Sequence, residues 1–363
     1  VDRGADTLRA LAVAVAARVP VVLWGPPGSG KTSAVQALAA AAGLPCEVVI
    51  AAIREPSDFA GLPVVVDDGV VFAPPSWARR LVAAGRGILF LDELSTAPPA
   101  VQAALLRVVL ERVVGDLALP DGVVVVAAAN PPEVAADGWD LAAPLANRFC
   151  HLEWGLDAPT FALGMAGGFP APTVVDLPVG WERQVVRAKA LVGTFATLRP
   201  ALLSVPPTDA DAAGRAWPSP RSWELAARLY AAATAAGAGE GVRSLLVRGT
   251  VGDGAGVEFL AWAAELDLPD PEAVLADPAS FVLPERGDRA YAALSSIVGA
   301  VAAEATPARW AAGWQVLDIA GRTAPDVAAT AARVLARCRP EGAPAPAEAA
   351  RFVPLLRDAG LLS

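Results

Sequence analysis

The chain has 363 residues, 55% hydrophobic and 18% charged, with 38 acidic against 29 basic side chains and a formal net charge of −9. That length supports two or three domains with real cores, and the composition excludes a disordered chain. The acidic balance argues against the broad basic surface that duplex nucleic acid requires, and no uninterrupted apolar run of about 20 residues offers a membrane span.

The opening residues, Val1-Asp2-Arg3-Gly4, read without the basic flank and apolar core of a signal peptide. Cys46, Cys150 and Cys338 are odd in number and far apart, a usage that suits a reducing cytoplasm. Residues 5–18 carry apolar positions at helical spacing and predict a leading helix. Val19 to Trp24 reads as a short buried strand, and Ser33 to Ala42 as a helix. Between them lies Gly25-Pro26-Pro27-Gly28-Ser29-Gly30-Lys31-Thr32, the letters of a phosphate-binding P-loop in the strand-to-helix context it requires. Glycines let backbone N–H groups turn inward around phosphate oxygens, and the helix opening at Lys31-Thr32-Ser33 aims its positive end at the same anion. Lys31 is placed to reach the β- and γ-phosphates, and the Thr32 hydroxyl to ligate Mg²⁺. Lys31 and Lys189 are the only lysines in an otherwise arginine-rich chain, as expected where a compact ammonium is needed.

Pro45 to Ile53 predicts a second buried strand. Val64-Val65-Val66 and Val70-Val71-Phe72 flank Asp67-Asp68-Gly69 and predict a hairpin; Trp77 to Ala84 predicts a helix. Gly87-Ile88-Leu89-Phe90-Leu91-Asp92-Glu93 reads as a doubly buried strand with two carboxylates at its C-terminal end, the edge where open α/β sheets bind ligands. Asp92 would hold Mg²⁺ through its water shell and Glu93 would deprotonate the attacking water; alternation along a strand would give them separate jobs. The alternative is that Asp-Glu merely caps the next helix, a reading that the P-loop upstream disfavours. After a helix within 95–111, Val113 to Pro120 predicts a second hairpin and Val123 to Ala129 a buried strand ending in Asn130-Pro131-Pro132. Asn130 at that tip could hold the water or the γ-phosphate, although Asn before Pro is also an ordinary turn former. Arg148 precedes the last core strand, Phe149 to Trp154. His151, the single histidine, reads as structural, and no His/Cys spacing offers a zinc site. From Ala158 onward the pattern is helical. Ser219 and Pro220 suit N-cap and N1 of a helix, which sets Arg221 in the first turn, where its charge opposes the dipole unless a phosphate lies opposite. Residues 239–363 are alanine-rich and helical, without a motif that carries chemistry.

The order P-loop, Leu91-Asp92-Glu93, Asn130, Arg148, Arg221 resembles the AAA+ ATPases, and more narrowly their MoxR-type branch, over residues 1 to about 236. The resemblance implies a parallel sheet in order 5-1-4-3-2, a small α-helical lid and, here, a C-terminal all-helical extension, divided as 1–156, 157–236 and 237–363. It implies that Asn130 is sensor 1, Arg221 sensor 2 acting in cis, and Arg148 the finger acting in trans. The usual finger context is Asp-Arg-Phe, whereas this chain has Asn147-Arg148-Phe149. Both hairpins are expected at the pore of a ring, without the aromatic loop of threading unfoldases. The implied protein is a cytoplasmic, Mg²⁺-dependent ATPase with ATP bound between subunits of a homo-hexamer. It would remodel or metallate a protein client with a partner carrying a von Willebrand factor A (VWA) domain. The rival readings are a slow nucleotide switch or scaffold and, less compatible with the acidity, a nucleic-acid motor.

Overall fold

The computed structural model describes residues 3–67, 69–131, 139–169 and 171–361. Helix α1 (Arg3–Ala16) leads into β1 (Val21–Trp24), α2 (Lys31–Ala41) and β2 (Cys46–Ile50). A short turn of helix, α3 (Ser57–Ala60), precedes a ribbon of β3 (Leu62–Val66) and β4 (Gly69–Ala73), and α4 (Ser76–Ala84) follows. Strand β5 (Arg86–Asp92) and α5 (Pro99–Leu110) come next, then a small ribbon of β6 (Val113–Val114) and β7 (Leu117–Ala118). Strand β8 (Gly122–Ala129), α6 (Ala143–Ala146) and β9 (Cys150–Glu153) complete the α/β part.

The five long strands form one parallel sheet in the order β2-β5-β8-β1-β9. Counting those five alone, this is the 5-1-4-3-2 order of an AAA+ P-loop core. Alternation divides the sheet's two faces. Val22, Trp24, Leu89, Leu91, Val125 and Ala127 pack with Phe59, Trp77, Leu81, Leu105 and Phe149 into one core. The intervening residues Val21, Leu23, Ile88, Phe90, Val124 and Val126 are also buried, as a sheet covered on both faces requires. All four strand-to-helix tips that matter chemically, at residues 25, 92, 130 and 154, fall on the C-terminal edge of this sheet.

Both expected hairpins are present, although Asp68 in the first turn lies outside the described residues. The β3–β4 ribbon is exposed on both faces, with Val64, Val65, Val66, Val70, Val71 and Phe72 all open to solvent. Its base is tied to the second hairpin: Phe72 N donates to Asp116 Oδ2 at 2.7 Å and Asp116 N donates to Phe72 O at 3.0 Å.

The remainder is helical: α7 (Ala158–Gly167), α8 (Glu182–Leu198), α9 (Ala210–Ala213), α10 (Pro220–Ala235), α11 (Glu240–Val251), α12 (Asp253–Ala264), α13 (Pro271–Ala276), α14 (Gly287–Ala303), α15 (Pro307–Thr323), α16 (Pro325–Arg337) and α17 (Val353–Asp358). Two compact units emerge, 1–179 with 202–257, and 180–201 with 258–363. The segment expected as a lid, 157–236, is thus divided between them, and 237–257 joins the first unit. The reason is packing: α11 lies against α1, α10 and β9, whereas α8 packs on α14. The second unit has its own core, built on Leu294, Ile297, Val301, Trp310, Trp314, Leu317 and Phe352. Among the described residues no helix is long and apolar enough to cross a membrane.

Candidate active site

The loop between β1 and α2 turns on two left-handed glycines, Gly28 at φ 76° and Gly30 at φ 85°. Backbone of that hand costs an L-residue about 1–2 kcal/mol, and glycine avoids the cost. Pro26, Pro27 and Gly28 are exposed, Ser29 half-buried. Helix α2 opens at Lys31 with no side-chain cap and no acidic residue in its first turn. Its leading N–H groups therefore carry no side-chain cap, which suits an anion. The end of β9 holds the loop in shape. Trp154 N donates to Trp24 O at 2.6 Å, and Trp154 Nε1 donates to Ser29 O at 3.0 Å. A Cβ at residue 25 would lie 2.2 Å from Trp154 O, so this contact tolerates only glycine.

Lys31 is buried, and its ammonium donates to Gly25 O at 2.6 Å, Pro26 O at 2.9 Å and Asn130 Oδ1 at 3.0 Å. Burial lowers its pKa, and the charge of Asp92 opposes that shift. Thr32 Oγ1 donates to Asp92 Oδ2 at 2.8 Å, while Asp92 Oδ1 accepts from Glu93 N at 3.0 Å. A hydroxyl and a carboxylate side by side suit a hard cation. Among the described residues no group of three or more His, Cys, Asp or Glu forms a closed cage. Thr32 and Asp92 are a donor set of the kind Mg²⁺ takes, since that ion keeps several waters and accepts one or two protein ligands plus phosphates. Strand β5 stops at Asp92, and Glu93 is left-handed at φ 56°. The separation of the two carboxylates thus comes from a turn rather than from strand pleating, and it leaves Glu93 exposed beside the bound Asp92.

Asn130 joins this group through Lys31, and its own N–H donates to Ser95 Oγ at 2.9 Å. Ser95 is buried on the turn after Glu93 and links the tips of β5 and β8. Pro132, beyond Asn130-Pro131, lies outside the described residues.

Arg148 and Arg221 lie elsewhere in the same unit and close to each other. Arg148 is half-buried; its Nη1 donates to Pro144 O, and its Nε has no partner among the described residues. Burial, and then the charge of Arg221, both disfavour its cation. Arg221 is exposed in the first turn of α10, whose N-cap Ser219 and N3 Ser222 form a reciprocal capping box with Pro220 at N1.

Residues 20–149 match the family described as AAA domain (dynein-related subfamily). This part of the chain is an AAA domain. No curated protein matches the chain. Two solved structures are similar to it. A proposed ATPase from Cytophaga hutchinsonii has 20% identity and a TM-score of 0.44, covering 66% of this chain and 78% of that one. A full-length MCM homologue from Methanopyrus kandleri has 19% identity and a TM-score of 0.38, covering 70% and 54%.

Two residues that brace the AAA site carry no motif: Ser95 and Trp154.

His151 sits just behind the AAA site. Its Nδ1 accepts from Trp24 Nε1 at 2.9 Å, which places the proton on Nε2, facing Ala146 O at 2.9 Å. Trp24 is also covered by the Arg215 guanidinium, 3.8 Å above its ring. Burial pushes the imidazole pKa down to about 4; the bond to Ala146 opposes that and the Arg215 charge adds to it. The folded value lies below the unfolded 6.5, so the unfolded chain takes up the proton first. Stability is therefore fully present above pH 6.5 and is lost as pH falls towards 4, by roughly 3 kcal/mol in all. Denaturant titrations at stepped pH should show that acid limb, and His151→Gln should flatten it; an unchanged limb would show that His151 is not its source.

Proposed function

We propose that the chain is a Mg²⁺-dependent ATPase of the MoxR type that works as a homo-oligomeric ring, of six subunits by family resemblance. One observation carries this: Lys31 is hydrogen-bonded to Asn130 and the neighbouring Thr32 to Asp92, with Glu93 exposed next to Asp92. The P-loop amides and Lys31 would hold the phosphates of ATP, and Thr32 and Asp92 would hold Mg²⁺, which when bound neutralises phosphate charge. Glu93 would take the proton of the attacking water, and Asn130 would fix that water or the γ-phosphate. Catalysis of this kind is positioning and charge neutralisation, with no covalent intermediate.

The expected split of Arg221 in cis and Arg148 in trans changes in this reading. The bond from Ser219 Oγ to Asn147 Oδ1 ties the segments that carry Arg221 and Arg148 together, the Arg221 charge disfavours the Arg148 cation, and an anion shared by the two would relieve that. We therefore assign both to the same phosphate, supplied by the neighbouring subunit. The exposed apolar β3–β4 ribbon is the surface we assign to the client, and a VWA-domain partner and a cytoplasmic setting follow from the family resemblance alone.

Phosphate release per subunit, measured against protein concentration alongside the assembled mass, tests the proposal. Specific activity should rise steeply through the assembly range. Full activity in a demonstrably monomeric sample would overturn it.

A further inference from the structure

We infer that Asn147 is a positioning residue that locks the Arg148 segment to the helix carrying Arg221, and that it must be an amide rather than the expected aspartate. The inference rests on the ring-ATPase reading above and names the part that sets the arginine pair. Asn147 is 5% exposed. Its Nδ2 donates to Trp217 O at 3.0 Å, and its Oδ1 accepts from Ser219 Oγ at 2.6 Å. Ser219 is also the N-cap of α10: Ser219 Oγ accepts from Ser222 N at 3.1 Å, so its own proton is free for Asn147. Ser222 Oγ in turn accepts from Ser219 N at 2.8 Å and donates to Trp217 O at 2.9 Å. The side-chain polar groups of Asn147, Ser219 and Ser222 all have partners in this small buried knot, which lies one residue from Arg148 and one from Arg221.

The chemistry selects the residue type. Trp217 O can only accept, so the group facing it must donate; Ser219 Oγ donates, so the group facing it must accept. An amide offers one of each, whereas an ionised carboxylate offers only acceptors. Aspartate at 147 would set an anion against a carbonyl oxygen about 3 Å away in a buried site, where unpaired charge is strongly disfavoured. It would protonate or swing out, and either way the strut between the two arginines would shift. A displacement near 1 Å at a catalytic group can cost on the order of a hundredfold in rate.

The test compares Asn147→Asp with Arg148→Ala, each alone and each mixed with Glu93→Gln subunits. The Glu93→Gln subunits have intact arginines and a dead site of their own. Asn147→Asp alone should lose about tenfold to a hundredfold in kcat with KM for ATP little changed. Mixing should restore much of that rate, because its intact sites then receive arginines from Glu93→Gln neighbours. A merely structural role would not be rescued by mixing. Wild-type kcat in Asn147→Asp, or a loss that mixing does not repair while Arg148→Ala is repaired, overturns this inference and leaves the ring reading standing. An Arg148→Ala protein at full rate overturns the ring reading itself. Ser219→Ala removes the same strut from the other side and keeps the test decisive should the Asn147→Asp protein fail to fold.

Discussion

Arg148→Ala is expected to slow ATP turnover by about 10³-fold or more, the range by which arginine fingers act in phosphoryl transfer, while nucleotide binding and assembly persist. The guanidinium is half-buried, spends one N–H on Pro144 O, keeps another without a partner among the described residues, and has its charge disfavoured by burial and by Arg221. A side chain held in that way gains most when a developing negative charge arrives, and gains nothing in a site that never receives one. Arg148→Lys should recover little, because a point-charge ammonium cannot reproduce the planar fork. Single-turnover hydrolysis with pre-bound ATP isolates the chemical step. A turnover rate within a few-fold of wild type would remove Arg148 from the reaction.

Glu93→Gln should retain ATP and lose hydrolysis by about 10²–10⁴-fold, the usual contribution of a positioned general base. The amide keeps the size of the side chain and asks nothing new of the backbone, which is already left-handed at this residue. Asp92 keeps its bonds to Thr32 and to the residue-93 N–H, so the cation site should survive. Nucleotide content after gel filtration together with steady-state phosphate release reads both halves of the prediction. Equal rates in wild type and variant would favour the switch or scaffold reading. In the expected case, the ATP-held variant is the form that should retain a client long enough to isolate it.

Much of this site is legible in the sequence because its chemistry uses residues adjacent to a strand end. Gly25 to Thr32, Leu91-Asp92-Glu93 and Asn130 each announce a strand running into a loop, and the parallel order follows from the family those motifs resemble. What is not legible is what each tip leans on. Ser95 looks like any loop serine until Asn130 N–H is found on its hydroxyl. Asn147 reads as a departure from a motif, and only its two partners, distant by 70 and 72 positions, explain it. The helical half is opaque for another reason. Alanine-rich faces mark a helix as buried without specifying its neighbour, so nothing in the periodicity of 181–204 says that α8 packs on α14, or that α11 covers β9.

The bond between Phe72 and Asp116 carries a mechanical implication. Helix α5 starts three residues beyond the turn that follows Glu93, and in its last turn Arg107 Nη1 donates to Gly115 O at 3.1 Å. Its 12 residues make a stiff rod of roughly 18 Å. Because the ribbons are fastened to each other at Phe72 and Asp116, any tilt of that rod must carry both of them along, and a push begun at the carboxylate would reach the greasy fingertip as a single stroke.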